Sequence, residues 1–203
     1  VIQIRWYSLA YIFGILLGWW YGKIILKKHT SNQKIYLENF DDLIGYIILG
    51  IIIGGRLGYV MFYNPSFYFD NLSEIFKIWK GGMSFHGGLI GVIMVIYIFS
   101  NLKNLNYKIY FDTISSVAPI GIFFGRIANF INGELYGIPT EKSWGVIFPE
   151  VDLNVRHPSQ IYEALLEGFV LFLILSIIIF NKKSYFGLVS GIFLILYGTF
   201  RLA

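Results

Sequence analysis

Apolar positions along this chain come in long runs, not in strict alternation, and the runs are broken by short polar stretches. Six runs read as membrane-spanning helices: about Trp6 to Ile25, Leu43 to Tyr63, Ser84 to Phe99, Phe111 to Phe130, Ile161 to Phe180 and Tyr185 to Ala203. A polar loop with Lys27, Lys28, His29 and Lys34 follows the first, and Asn64-Pro65 closes the second. The segment Ser66 to Lys80 mixes Phe67, Tyr68, Phe69, Ile75, Phe76, Ile78 and Trp79 with charges. It is too short and too charged to span, which predicts an interfacial helix or loop. The one long polar excursion is 132–158. The expected fold is all-α: a polytopic integral membrane protein, one transmembrane domain over 1–203, with six transmembrane helices and the N-terminus outside. The chain opens at Val1 without a methionine and stops at Leu202-Ala203 inside an apolar helix, so both ends read as cut. No short apolar segment ending in a small-residue cleavage site marks a secretory signal peptide.

Composition agrees. Only 14% of the 203 residues are charged, against about 25% in an average soluble domain. The net charge of +4 comes from scattered basic residues without a basic stripe, which argues against nucleic acid as a partner. The absence of cysteine excludes disulfides, thiolate metal sites and a cysteine nucleophile within the chain. The three histidines stand far apart without helical ligand spacing, so no metal and no cofactor is expected. No phosphate-cradling Gly-Lys-Ser/Thr loop is present.

Lysine and arginine in the loops set the orientation. Lys23, Lys27, Lys28, Lys34, Lys103, Lys108, Lys182 and Lys183 fall on one side, and Arg5, Lys77, Lys80, Lys142 and Arg156 on the other. The larger set is expected in the cytoplasm. Three basic residues remain, Arg56, Arg126 and Arg201, all inside apolar spans and none a lysine. Each then falls in the outer half of a helix that runs outward. His86 opens the third span from outside, and Arg5, Tyr7 and Ser8 open the first. Five spans thus send polar groups to one outer-leaflet layer.

A charge at the bilayer centre costs about 2.5–3.5 kcal/mol on insertion scales, so such arginines need partners or a polar cavity. A guanidinium grips phosphate through two parallel hydrogen bonds, as an ammonium cannot. The layer therefore suits a phospholipid headgroup. The plainer alternative is snorkelling, or internal ion pairs with Glu134 or Glu163.

The densest polar stretch is Gly125-Arg126-Ile127-Ala128-Asn129-Phe130-Ile131-Asn132-Gly133-Glu134-Leu135-Tyr136-Gly137. Arg126, Asn129 and Asn132 are spaced by three and share a helical face if the helix continues. Glu134 and Gly137 lie where it is expected to unwind. Gly55-Arg56-Leu57-Gly58-Tyr59 echoes the start of this stretch, a weak sign of a repeat. In Gly81-Gly82-Met83-Ser84-Phe85-His86-Gly87-Gly88, Ser84 is a plausible N-cap and the helix start favours anions. Gly50, Gly54 and Gly58, Gly121 with Gly125, and Gly187 with Gly191 are expected at helix-packing contacts. His29 reads as solvated. Arg156-His157-Pro158-Ser159-Gln160-Ile161-Tyr162-Glu163 reads either as helix capping or as support for the arginines.

Together with Arg5-Trp6-Tyr7, Gly54-Gly55 and Tyr197-Gly198-Thr199-Phe200-Arg201, these motifs in this order resemble the bacterial prolipoprotein diacylglyceryl transferases over all 203 residues. The resemblance implies a seven-span helical enzyme of the bacterial cytoplasmic (inner) membrane, with its site toward the outer leaflet. The reaction it implies moves the diacylglyceryl group of phosphatidylglycerol to the lipobox cysteine in the signal peptide of a preprolipoprotein, giving a thioether and glycerol phosphate. By motif position, Tyr7, His86, Arg126, Asn129, Glu134, Gly137 and Arg201 fall on the family's functional residues. The segment between the fourth and fifth spans is short beside many members. The family continues after Arg201 with a glutamate-bearing turn and a last span.

The expected chemistry is attack of the substrate thiol on the glyceryl carbon that carries the phosphate ester. His86 is the first candidate for the base and Glu134 the second. Arg126 and Arg201 hold the phosphate with help from Arg56, and Tyr7, Asn129 and Asn132 position the headgroup. The rival is a lipid flippase or small-solute transporter that binds anionic headgroups. Such proteins place sites near the midplane, on broken helices in paired repeats.

Overall fold

The structure is a computed structural model that describes residues 6–29, 33–181 and 186–202. Arg5, Lys182, Lys183, Ala203 and the side chain of His29 lie outside the described residues. Eight α-helices are described: α1 (Trp6–His29), α2 (Gln33–Phe62), α3 (Pro65–Asp70), α4 (Phe85–Leu102), α5 (Tyr107–Ile131), α6 (Ser159–Glu163), α7 (Leu171–Ile179) and α8 (Leu188–Leu202). Among the described residues five stretches are long and apolar enough to cross a membrane: Tyr7–Lys28, Gln33–Phe62, Phe85–Leu102, Tyr107–Ile131 and Ser159–Ile179. The sixth expected span is present as the shorter α8. Large apolar side chains cover much of the exterior, among them Met61, Ile90, Ile177 and Ile195. Exposed apolar surface of this extent belongs against lipid, and the chain is a multi-pass membrane protein.

The chain divides into two compact units, Asn32–Phe111 and the combination of Val1–Ser31 with Asp112–Ala203. In the Asn32–Phe111 unit α2 starts at Gln33, earlier than Leu43. The charges at Glu38, Asp41 and Asp42 mask a stripe of Tyr36, Phe40, Leu43 and Ile47, whose steps of three and four bury one helical face. Phe40 and Phe99 meet the buried Tyr110 ring, and the Tyr110 hydroxyl donates to the Tyr36 carbonyl at 3.1 Å. The expected glycine seam of α2 holds. Gly50 and Gly54 lie against Gly91, and a Cβ on Gly54 or on Gly87 would run into the other's carbonyl oxygen.

In the other unit a core forms from Ile25, Val117, Leu171, Leu175, Ile179 and Val189. Gly14 lies against the Cα of Gly121, and Gly18 against Val117. The packing contact expected at Gly121 is therefore present, and those expected at Gly125 and Gly191 are not. A Cβ on Gly121, Gly125 or Gly191 would meet nothing within 4 Å. Gly121 serves through its backbone as the floor for Gly14.

The span Ser159–Ile179 is not a uniform helix. Ala164–Val170 forms a π-helical turn between α6 and α7. Its buried positions, Gln160, Ala164, Gly168 and then Glu167, Leu171, Leu175, Ile179, step by four. In an α-helix such steps drift about 40° each around the axis. The wider π turn absorbs part of the drift and keeps both sets facing inward.

The polar excursion contains a two-stranded antiparallel sheet, β1 (Val146–Ile147) with β2 (Val155–Arg156), pairing Val146 with Arg156 and Ile147 with Val155. The Arg156 guanidinium grips Asp152 at 2.5 and 3.2 Å and lies over the Tyr136 ring. These hydrogen bonds pull the Asp152 carboxyl down from its ordinary 3.8 to about 2.

Candidate active site

Three elements of the unit that contains α1 converge on two arginines. Arg126 sits one turn before the end of α5 and Arg201 one residue before the end of α8. Facing them are Glu163, the last residue of α6, and Glu167 in the π turn. The Arg201 Nη1 donates to Glu163 Oε1 at 2.7 Å and to Glu167 Oε1 at 3.4 Å. The Arg126 Nη2 donates to Glu167 Oε2 at 3.4 Å. The Arg126 Nη1 lies 2.9 Å from Glu163 Oε2, yet that oxygen is buried and accepts no hydrogen bond. This is a charge contact out of hydrogen-bond alignment. Each carboxylate thus touches both guanidiniums.

Local sequence explains the meeting. Gly168 lets α5 and the π turn approach until a Cβ there would press on the Cα and Cβ of Phe123, one turn before Arg126. At its far end α8 is anchored by Asp112. Its buried carboxylate accepts from the Gly187 amide at 2.7 Å and from the Ser190 amide and hydroxyl, both at 2.9 Å. A carboxylate on the first amides of a helix satisfies otherwise unpaired donors and complements the dipole.

A second group adjoins. The Tyr7 hydroxyl donates to Asn129 Oδ1 at 2.5 Å, and Asn129 is buried. The helix ends at Ile131, so Asn132 lies just beyond it, and Gly133 takes a left-handed φ of 67°. Glu134 is exposed, with its amide bonded back to the Asn129 carbonyl at 2.9 Å. The loop is then held by residues before and within α6. Gln160 Nε2 donates to the Glu134 carbonyl at 2.5 Å, Ser159 Oγ to Leu135 at 2.9 Å and Arg156 Nη1 to Gly137 at 3.2 Å. The Gly137 amide donates to the His157 carbonyl at 3.0 Å, and a Cβ on Gly137 would crowd His157. The Arg156–Glu163 motif therefore does two jobs: it pins the Glu134–Gly137 loop, and through Glu163 it holds the arginines.

The Asn32–Phe111 unit carries Arg56 and His86. Ser84 caps α4 as expected, accepting from the Gly87 amide at 3.2 Å. His86 follows in the first turn with an exposed ring edge-on to Phe85. Arg56 has a different occupation from the headgroup binding expected of it. Nε donates to the Ile75 carbonyl at 2.8 Å, Nη1 to Gly81 at 2.6 Å and Gly82 at 3.1 Å, and Nη2 to Glu74 at 2.6 Å and Lys77 at 3.4 Å. A guanidinium has five N–H donors, so all are used on backbone carbonyls of the 72–82 segment. That segment follows α3 and is built from two 3-10 turns, Leu72–Phe76 and Ile78–Lys80, with Phe76 and Trp79 exposed. Arg56 meets carbonyls where Arg126 meets carboxylates, so the echo between their sequences does not extend to their surroundings.

Sequence reading named Arg126, Arg201 and Glu163 but missed Glu167. Its only signal was a glutamate inside an apolar span, where a charge is costly and by default has a task.

The sequence pattern of the prolipoprotein diacylglyceryl transferases matches residues 1–203. A Rickettsia bellii protein named phosphatidylglycerol--prolipoprotein diacylglyceryl transferase is 53% identical over 203 residues, 99% of this chain and 76% of that protein. A Rickettsia felis protein of the same name is 53% identical over 204 residues, 100% of this chain and 78% of its own length. A third, from Rickettsia africae, is 52% identical over 203 residues, 99% and 78%. With this similarity along its whole length, the chain belongs to the prolipoprotein diacylglyceryl transferase family.

Proposed function

We infer that this chain transfers the diacylglyceryl group of phosphatidylglycerol to the lipobox cysteine thiol of a preprolipoprotein, as one catalytic transmembrane domain over 1–203. The observation that carries this reading furthest is the pairing of Arg126 with Arg201 across shared carboxylates. Two guanidiniums that both touch one anionic group are spaced to share the oxygens of a phosphate.

The sulfur attacks the glyceryl carbon, forming the C–S bond as the C–O bond to phosphate breaks. The electron pair stays on the phosphate oxygen, so a monoanionic diester becomes a dianionic glycerol phosphate. The thiol proton passes to a base. Arg126 and Arg201 stabilise the charge gained by the leaving group, an electrostatic effect. A free thiol with pKa about 8.5 is mostly protonated at neutral pH, and a placed base contributes about 10²–10⁴-fold. His86 takes this role first, on its exposed imidazole and the family resemblance, and Glu134 second. Tyr7, Asn129 and Asn132 position the headgroup, and Gly137 keeps the loop close. The family resemblance and the lysine distribution support a location in the bacterial cytoplasmic membrane, with this site toward the outer leaflet.

The test is direct. Protein in membranes is incubated with phosphatidylglycerol and a lipobox peptide, and the peptide is weighed by mass spectrometry. A diacylglyceryl adduct on cysteine is expected, and its absence with folded protein overturns the reading.

A further inference from the structure

The two glutamates that bridge the arginines differ sharply in exposure. The side chain of Glu167 is 0% exposed, while that of Glu163 is 23% exposed. Arg201, which both touch, is 49% exposed. Glu163 makes the shortest bond to Arg201, but its second oxygen lies near Arg126 without a hydrogen bond. Glu167 makes longer bonds, one oxygen to each arginine.

We propose that Glu163 is a placeholder for the substrate phosphate, exchanged out when phosphatidylglycerol binds, while Glu167 is the fixed counter-ion that positions both arginines throughout. This rests on the transfer reaction inferred above and adds a division of labour between two carboxylates that the reaction itself does not require.

Charge and burial set the division. Two guanidiniums facing one another without anions repel, and in a membrane they need counter-charge to stay in place. Two carboxylates against two guanidiniums make the empty cluster neutral. A phosphodiester carries one negative charge, as a carboxylate does, so replacing Glu163 conserves charge. Displacing Glu167 instead would leave a carboxylate stranded in a closed interior, at the high cost of an unpaired buried charge. Glu163 has a way out. It ends α6 next to the wider π turn, it is partly exposed, and one of its two arginine contacts lacks hydrogen-bond alignment. Glu167 has none of these, since the π turn and the close approach of Gly168 to Phe123 hold it against α5.

Glu163→Gln removes the competing charge and keeps the shape. Binding of short-chain phosphatidylglycerol and of sn-glycerol 1-phosphate is measured by calorimetry in detergent, beside transfer kinetics with a lipobox peptide. Both anions are expected to bind Glu163→Gln about five- to tenfold tighter than the parent, the size of one ordinary hydrogen bond, with KM for phosphatidylglycerol falling in step. Unchanged or weaker binding overturns the placeholder role. Tighter binding of the lipid alone also overturns it, because the exchange is with phosphate and not with acyl chains. Glu167→Gln is expected to lower kcat about 10²-fold through misplaced arginines, with Glu167→Asp recovering part of the loss. A parental kcat in Glu167→Gln overturns the fixed role. If Glu163→Gln does not fold, Glu163→Asp decides, since a shortened carboxylate yields to phosphate more easily and tighter binding is again expected. A parent that binds these anions but forms no adduct defeats the transfer reading alone, because the binding comparison still decides the placeholder.

Discussion

The Tyr7 hydroxyl donates to the side-chain carbonyl of Asn129 at 2.5 Å, tying the start of α1 to the last turn of α5 across 122 positions of sequence. The bond fixes which way the Asn129 amide points. Its oxygen is occupied, and on the proposed reading the NH₂ group faces a headgroup oxygen. Tyr7→Phe leaves a buried acceptor without its donor, at a cost of about 1–3 kcal/mol. A lowered melting temperature and a loss of transfer are expected together. Full activity with an unchanged melting temperature would remove this bond from the site.

Arg126→Lys keeps the charge and loses the fork. If the guanidinium stabilises the leaving phosphate through paired hydrogen bonds, transfer falls by about 10²–10³-fold, the scale of losing one preorganised donor. Single-turnover assays with saturating phosphatidylglycerol check this, and full activity in the lysine variant would rule out the bidentate role.

His86→Gln addresses the proton. Turnover is expected to fall by about 10²–10⁴-fold at neutral pH. The deficit should narrow toward pH 9, where the substrate thiol ionises unaided. A pH–rate profile between 6 and 9 parallel to that of the parent would pass the role to Glu134.

Gly54→Ala and Gly87→Ala each drive a methyl into a backbone carbonyl of the facing helix. Backbone cannot step aside like the tip of a side chain, so α2 and α4 must separate, at a cost of about 1–3 kcal/mol or more. Gly191→Ala, inside α8 with nothing near its Cβ, is expected to stabilise by about 0.5–1 kcal/mol through helix propensity. Thermal unfolding of the three variants should show these opposite signs.

Asp152 supplies a pH dependence outside the membrane. Its folded carboxyl titrates near 2, below the ordinary 3.8, chiefly because Arg156 donates to it. A depressed carboxyl stabilises the folded hairpin above the ordinary value, and the contribution is lost as pH falls from about 4 to about 2. Hydrogen-exchange protection factors at Val146, Ile147 and Val155 should fall over that window in the parent and be insensitive to it in Asp152→Asn.

Long apolar runs and the glycines of α2 were legible because both are dictated by one dominant force, burial from water or close helix approach. The early start of α2 was legible only through Tyr36, Phe40, Leu43 and Ile47, since the intervening acids lower the mean hydropathy without leaving the solvent-facing side. Strands of two residues, such as Val146–Ile147, are too short for alternation to register. The π turn has no sequence period of its own, which hid Glu167 from a count based on 3.6 residues per turn. Arg56 shows a further limit. An arginine in an apolar span announces that it has partners, but not whether they are carbonyls of a neighbouring loop or a ligand.

The carboxylate of Asp112 on the Gly187 and Ser190 amides makes α8 a lever. Its fulcrum is at Gly187 and its working tip at Arg201, with about 20 Å of helix between them at 1.5 Å per residue. Tilting the fulcrum by a few degrees sweeps the tip by more than an ångström, enough to take a guanidinium out of register with a phosphate. Substitutions around Asp112 should therefore register as changes in turnover although they lie at the opposite end of α8 from Arg201, and on the proposed topology the adjustment of this outer-leaflet reaction lies at the cytoplasmic face.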